Sequence, residues 1–513
     1  MAFLSKQRRE IYRRKIKNFW IDFSHNRVGF IGLIIIVLFI TAAGFAPVLT
    51  PHVPISQLHE SPRLAAGYAL PAWLTVFPQF SNLNPTVFIT RDLNEATLWN
   101  QSGPLQVNLD ALNVSFTPTG KGLQKASVTL DLGNFSYTHA TPPEFTMDVA
   151  YSMHFNRTNL EVYFIIKNYT AKPTWEEYFE DPTKAEMIIV RYLPPPIPIH
   201  GIVINQSILD LEVDSGGYLL LNGSFIHPAI QPHYYGQGIA IEPASLIFEE
   251  PGVYGIQVKF EFSNKYPFEG AYAELHIRKV GLTLWGRYHG ILGTTYGGND
   301  VWTELIYGAR ISLMVGVLAA VLATSLGIFY GVISGYLGGF VDEFLMRVVD
   351  VLLCIPVLPI LLVLMRYFSI SVYLVIVLIA IFGWQGLSRV IRSRVLSLKE
   401  MAFIESARAS GASDSYLMIK HLVPNVLPIA MAAMVLAVPG AILLEAALSF
   451  LGFGDPNAAT WGRMLYHAYQ LGGLEAWWVW VPPGLAITTI CIGFVFIGHA
   501  VDEIINPRLR RRR

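Results

Sequence analysis

ESARASGASDSYLMIKHLVPN, residues 405–425, is a polar stretch set between two runs of almost unbroken apolar residues. It holds no cysteine pair, no phosphate-binding glycine loop and no carboxylate pair beside a nucleophile, so its residue types suit contact rather than chemistry. The glycine six positions after Glu405 and the Leu-Val-Pro close predict two short helices broken at Gly411, with Pro424 preceding the next apolar run. Short helices held at a fixed angle form a rigid knob. A knob of this kind can be pushed by a soluble partner.

The surroundings decide where such a knob would sit. Of 513 residues, 53% are hydrophobic and only 14% charged, which sets the chain apart from soluble domains and points to a membrane protein. Six apolar runs are long enough to span a bilayer as helices, near 28–49, 308–333, 344–366, 371–390, 427–451 and 479–503. The first lacks a small-residue cleavage site and reads as an uncleaved anchor. Lys and Arg collect on the cytoplasmic side of membrane proteins, and residues 1–27 carry eight, the loop 389–424 six and the tail after Ile504 five. The connections near 367–370 and 452–478 hold one, Arg463. Both termini and the opening stretch are therefore expected in the cytoplasm, and residues from about 50 to 300 outside it. The predicted organisation is a first helix within 1–50, an extracytoplasmic insert over 51–290, and a five-helix core over 291–513 with the polar loop at 396–425. Basic residues mixed with Ile11, Ile16, Phe19, Trp20, Ile21 and Phe23 suit a helix lying on the inner membrane surface over 5–25, with a disordered basic tail as the alternative.

The insert reads as β-rich. ASVTLDL (126–132), LEVYFIIKNYT (160–170), YLLLNGSFIH (218–227), VYGIQVKFEFS (253–263) and AYAELHIRKVGLTLW (271–285) alternate with period two or are rich in β-branched and aromatic residues. Asn222-Gly223 is a hairpin turn signal, and one sandwich or a pair of small ones is the natural packing. PPPIP at 194–198 either divides the insert into two lobes or forms one long loop. Asn-X-Ser/Thr sequons at Asn100, Asn113, Asn134, Asn156, Asn168, Asn205 and Asn222 fall only in this segment; they are glycosylation acceptors, or the chance product of a β domain rich in Asn, Ser and Thr. The two cysteines, Cys354 and Cys491, lie in predicted spans, so the insert folds without disulfides. His227 and His233 have neither helical spacing nor accompanying cysteines or acids, and read as loop residues rather than metal ligands.

Ionisable residues within spans are functional candidates. Arg347 and Asp350 are spaced to pair at i, i+3, and Glu445 either lines a translocation path or forms a polar link between helices. Asp300 is placed to cap the second span with Glu304 in its first turn, and the glycines at 327, 331, 335, 338 and 339 allow close helix approach. Trp461, Trp477, Trp478 and Trp480 are spaced as aromatic anchors at the outer interface, with the 460–465 segment as a re-entrant helix.

The stretch 405–425 resembles the EAA loop of ABC importer permeases, and LGTTYGGNDVWTELIYGARISLMVG, SGYLGGFVDEFLMRVVDVLLCIP, AILLEAALSFLGFG and WGRML follow in the order found in the C-type permease subunit of oligopeptide and dipeptide ABC importers. The resemblance is close over about 290–510 and loose over 1–50. It implies a type I importer bundle of six transmembrane helices, in which Glu405, Ala407, Gly411 and Pro424 belong to a loop that docks on an ATPase. It further implies a second homologous permease, two ATPase subunits that hold ATP and Mg, and an extracellular substrate-binding protein. Cargo is expected to be peptide, with oligosaccharides or nickel as alternatives. Ser406, His421 and Val423 depart mildly from the EAA pattern, Thr295 and Asn299 replace an Asp and an Arg of the family's outer segment, and the insert is far longer than the family's.

No G-x-x-x-x-G-K-[ST] occurs, so the chain is expected to bind no nucleotide or other cofactor itself, and no catalytic pair at helical spacing supports an intramembrane enzyme. Lipid is an expected partner and nucleic acid is not. A membrane-anchored receptor or adhesin is the competing class, but one span would serve such a protein, and six expected spans with an EAA-like loop count against it.

Overall fold

The computed structural model describes residues 17, 19–52, 54, 63–90, 96–108, 113–119, 122–156, 158–168, 186–192, 207–214, 248, 251–264, 271–368 and 370–505. Most of the expected inner-surface helix, PPPIP, YLLLNGSFIH with its Asn-Gly turn, His227, His233 and the arginine tail lie outside the described residues. The chain forms two compact units, Met1–Pro62 with Asn299–Arg513, and Arg63–Gly298.

In the first unit, α1 (Arg27–Gly44) starts at Asn26, whose side-chain oxygen accepts the Gly29 backbone N–H at 3.0 Å. Helix α2 (Val301–Leu337) is capped by Asp300, which accepts from the Thr303 N–H at 2.9 Å and its hydroxyl at 2.7 Å. Its 37 residues make α2 about 55 Å long, well beyond the roughly 30 Å of bilayer hydrocarbon. Gly338, at φ +67°, ends α2 and turns the chain into α3 (Gly339–Cys354). Helix α4 (Val357–Tyr367) follows at 86° to α3 with Pro356 at the break, and α5 (Val372–Ile381) bends by 43° into α6 (Gln385–Lys399). The runs 344–366 and 371–390 are thus bent pairs and not straight helices. Among the described residues four helices are long and apolar enough to cross a membrane, and six spans result if each bent pair is one.

Beyond α6 come α7 (Ala402–Ala409), α8 (Asp414–Leu417), α9 (Val423–Leu448), α10 (Trp461–Gln470) and α11 (Trp477–Ile505). Pro424 does not precede a separate span. A π-turn over Met418–Leu422 joins α8 to α9, and Asp414–Phe453 forms one helical run of 40 residues. Pro424 lies inside that run and has no N–H to donate, and the wider π-turn just before it carries the chain through. Packing within the unit relies on small residues. A Cβ on Gly331 would lie 2.6 Å from the Ser388 carbonyl and one on Gly335 2.9 Å from the Arg392 carbonyl, so these glycines seat the backbone of α6 directly against α2.

Trp461 corrects the expectation of an interfacial anchor. It is fully buried, donates its indole N–H to the Leu305 carbonyl at 3.0 Å and meets Phe39 of α1 edge-on at 5.7 Å. Gly308 makes the room, since a Cβ there would lie 2.8 Å from the Trp461 ring. Trp478 is buried as well, whereas Trp477 and Trp480 are exposed.

The second unit is an antiparallel sandwich. Its strands are β1 (Val87–Thr90), β2 (Thr97–Ser102), β3 (Leu105–Asn108), β4 (Asn113–Phe116), β5 (Lys125–Tyr137), β6 (Glu144–Asn156), β7 (Thr158–Asn168), β8 (Glu186–Tyr192), β9 (Ser207–Asp214), β10 (Gly252–Asn264) and β11 (Tyr272–Trp285). One sheet runs β9-β6-β11-β4-β3 with β1 also on β11, and the other runs β2-β5-β10-β7-β8. Alternate residues Ala126, Val128, Leu130 and Leu132 of β5, and Ile256, Val258, Phe260 and Phe262 of β10, meet Ala273, Leu275 and Ile277 of β11 in a single core. A register shift between Ile277 and Lys279 inserts one residue into β11, so the inward set changes from odd positions to Leu282 and Leu284. The long alternation read along this strand is therefore two phases joined by a bulge.

Candidate functional site

The polar stretch 405–425 is built as a hinged pair of helices on an apolar seat. Helix α7 ends in a Schellman motif: the Gly411 N–H bonds to the Arg408 carbonyl at 3.0 Å and the Ala412 N–H to the Ala407 carbonyl at 3.1 Å. That geometry places Gly411 at φ +85°, where a side chain is strained, although a Cβ would point into open space. Ser413 then caps α8, accepting from the Tyr416 N–H at 3.4 Å.

One face of this hinge is buried. Ile404, Leu417 and Leu422 join Val332 and Tyr336 of α2 and Ile391, Val395 and Leu398 of α6 in one cluster, with Ala407 and Ala412 packed against it. The other face leaves Met401, Phe403, Tyr416 and Ile419 exposed, with His421 between the aromatic rings, 6.1 Å from Phe403 and 5.7 Å from Tyr416. Glu405 lies exposed in the first turn of α7, and Pro424 is also exposed. A polar loop thus displays a compact apolar and aromatic patch, the composition of a contact surface.

Charged residues tie the helices around the hinge. Asp342 of α3 accepts from the Arg392 Nε of α6 at 2.6 Å, and also pairs with the Arg392 terminal nitrogen and the Ser334 hydroxyl. The Tyr336 hydroxyl donates to Asp414 at 2.5 Å, and Lys399 donates to the Tyr336 carbonyl at 2.8 Å. Sequence reading passed over Tyr336, Asp342, Arg392 and Asp414; the signal available was a set of charges at the polar ends of apolar runs, with no means of matching them.

Arg347 and Asp350 do not pair with each other. Asp350 bonds to Arg389 of α6, while Arg347 lies 3.9 Å from Glu343 one turn earlier. Spacing of i, i+3 permitted their contact, but Arg389 on the neighbouring helix is a closer partner and leaves Arg347 to an exposed i, i+4 pair.

Glu445 lies far from the hinge, along α9 toward α10. It is buried, accepts from the Ser449 hydroxyl at 2.7 Å, and has the buried hydroxyls of Ser312 and Thr460 beside it. Near it, Arg463 donates to the His467 ring at 3.1 Å, and burial with this neighbouring cation pushes His467 down to about 4.

In the sandwich, Asn100, Asn113 and Asn134 are exposed, and Asn113 lies 2.7 Å from the His276 ring nitrogen. Asn156 and Asn168 end β6 and β7, whereas Asn205 and Asn222 lie outside the described residues. Cys354 and Cys491 are free thiols, and among the described residues no three His, Cys, Asp or Glu side chains gather as a metal site.

Residues 323–511 match the family model of the binding-protein-dependent transport system inner membrane component, and residues 16–65 match the N-terminal transmembrane domain of oligopeptide transport permease C. The chain is 40% identical over 220 residues to the oligopeptide transport system permease protein OppC of Escherichia coli strain K12, covering 42% of this chain and 72% of that one. It is 36% identical over 220 residues to the protein of the same name in Bacillus subtilis strain 168, covering 43% of this chain and 72% of that one. Among solved structures, a chain of the MetNI methionine ABC transporter in an inward-facing conformation matches at 20% identity and a TM-score of 0.32, covering 40% of this chain and 97% of that one.

Proposed function

This chain belongs to the binding-protein-dependent transport system inner membrane components, and on that premise we propose that it is the permease subunit of an ABC importer for oligopeptides or dipeptides, driven through the hinge of α7 and α8. The observation that carries the reading is the exposed patch of Met401, Phe403, Tyr416 and Ile419 around Gly411, held on a buried apolar seat. A rigid apolar surface on a basic loop fits a groove on a soluble ATPase subunit. Glu405, Gly411 and Pro424 border that surface, and Ala407 packs on the seat beneath it. ATP and Mg act on two such subunits, not on this chain, and a second homologous permease and an extracellular binding protein complete the importer. Both termini lie in the cytoplasm and the sandwich outside, as the distribution of Lys and Arg supports. Its exposed sequons are then glycosylation acceptors where the host has that machinery. Glu445, enclosed by hydroxyls from its own helix, α2 and the start of α10, acts as a polar link between helices.

The test replaces Phe403 with Asp and Gly411 with Trp in the full chain, with Gly411→Asn as the control, since Asn tolerates positive φ. Capture of the ATPase subunits by the purified chain is expected to fall about ten-fold or more for the first two, the loss typical of a contact hot spot, and to persist for the control. Undiminished capture by Phe403→Asp and Gly411→Trp overturns the docking role.

A further inference from the structure

Docking alone does not explain how the push would reach the spans. Besides the apolar seat, one aromatic side chain of the bundle makes polar contacts to both short helices of the loop. Tyr336, in the last turn of α2, is buried, yet it gathers groups from three other helices. Its hydroxyl donates to Asp414 of α8 at 2.5 Å and accepts from Arg408 of α7 at 3.4 Å. The Lys399 ammonium of α6 bonds to its carbonyl at 2.8 Å and stands 5.8 Å from its ring centre, as does the Arg408 guanidinium on the ring. Its ring sits in the same cluster as Ile404, Leu417 and Leu422.

This arrangement separates two jobs within a few residues. The polar partners of Tyr336, which are Asp414, Arg408 and Lys399, are different residues from those of the exposed patch, which are Met401, Phe403, Tyr416 and Ile419. Helix α2 is also the element best placed to carry a displacement onward. It seats α6 through Gly331 and Gly335, and some 31 residues earlier it holds Trp461 at the Leu305 carbonyl. A close-packed helix moves as a body, so a pull at one end is felt at the other.

We propose that Tyr336 is the positioning residue that transmits movement of the α7–α8 hinge to α2, through its hydroxyl bond to Asp414 with Arg408 holding that hydroxyl from the other side. The proposal rests on the docking reading above. It assigns to the Tyr336 hydroxyl the coupling of ATP hydrolysis to import, and no part in recruiting the ATPase.

The experiment uses the complete importer in proteoliposomes, with a radiolabelled oligopeptide as cargo, and records import, ATP hydrolysis and ATPase capture for Tyr336→Phe, Asp414→Ala and the double variant. Tyr336→Phe keeps the buried ring and removes only the hydroxyl. Import is expected to fall about five-fold or more while hydrolysis stays within about two-fold, so that ATP consumed per peptide rises. Asp414→Ala should reproduce this, Asp414→Asn should restore most of the import by keeping an acceptor, and the double variant should be no worse than either single one, because both remove the same link. A wild-type ratio of ATP to peptide in both single variants overturns the proposal, and so does additive loss in the double variant or loss of ATPase capture by Tyr336→Phe. If Phe403→Asp and Gly411→Trp abolish capture while Tyr336→Phe keeps its coupling ratio, the transmission role alone falls. If those two variants capture ATPase normally, the docking reading falls and takes the transmission role with it.

Discussion

The sandwich and the helical unit use opposite means to hold together. In the sandwich the buried side chains are large: Phe116, Phe145, Phe248, Phe260 and Phe262 fill the space between the sheets, and Phe116 stacks on Phe262 at 5.8 Å. In the helical unit many of the buried positions are small or polar, including Gly331, Gly335, Ser312, Ser334, Ser388, Gln385 and Glu445, while Leu38, Phe340 and Leu485 point outward. Water drives the first pattern, because removing large apolar surface from it is the main source of stability. Lipid removes that driving force, so helices associate by close backbone approach and by polar links that find no other partner. The same residue type therefore carries different weight in the two regions.

The largest break in this contrast should come from the sandwich. Phe262→Ala is expected to destabilise it by about 3–5 kcal/mol, read as a lower denaturant midpoint for the β transition of the purified full chain. In the helical unit the sensitive change runs from small to large. Gly331→Leu forces atoms against the Ser388 carbonyl and Ile391, and should cost about 1–3 kcal/mol of thermal stability in detergent. Gly440→Ala, with nothing within 4 Å of the added atom, should be neutral or gain up to about 1 kcal/mol of helix propensity. Equal effects of Gly331→Leu and Gly440→Ala would remove the close-approach account.

The smallest expected effect is a dependence on pH. His467 is pushed from 6.5 to about 4 by burial and by Arg463. The unfolded chain then binds the proton first, so stability is full above 6.5 and falls as pH drops from 6.5 toward 4. Melting curves of the purified chain across this window should show the fall, and His467→Gln should flatten it.

The β5, β7, β10 and β11 segments were legible because inward and outward residues alternate along a strand whatever it pairs with. The hinge at Gly411 was legible for a similar reason, since a glycine after a short helix signals a Schellman end without reference to the rest of the chain. Other features were not. The bulge that changes the phase of β11 depends on its pairing with β6. Trp461 has the composition of an interfacial anchor and became a buried one because Gly308, more than 150 residues earlier, leaves room for it.

Local sequence determined the apolar runs, the alternating strands and the two short helices of the loop, because these follow from periodicity and backbone preference over a few residues. Tertiary structure decided the partners. Asp350 could have met Arg347 three residues away and instead meets Arg389, and Tyr336 meets Asp414 across 78 residues. Charge and hydrogen-bonding capacity are written at each position, but which donor reaches which acceptor depends on how the helices pack.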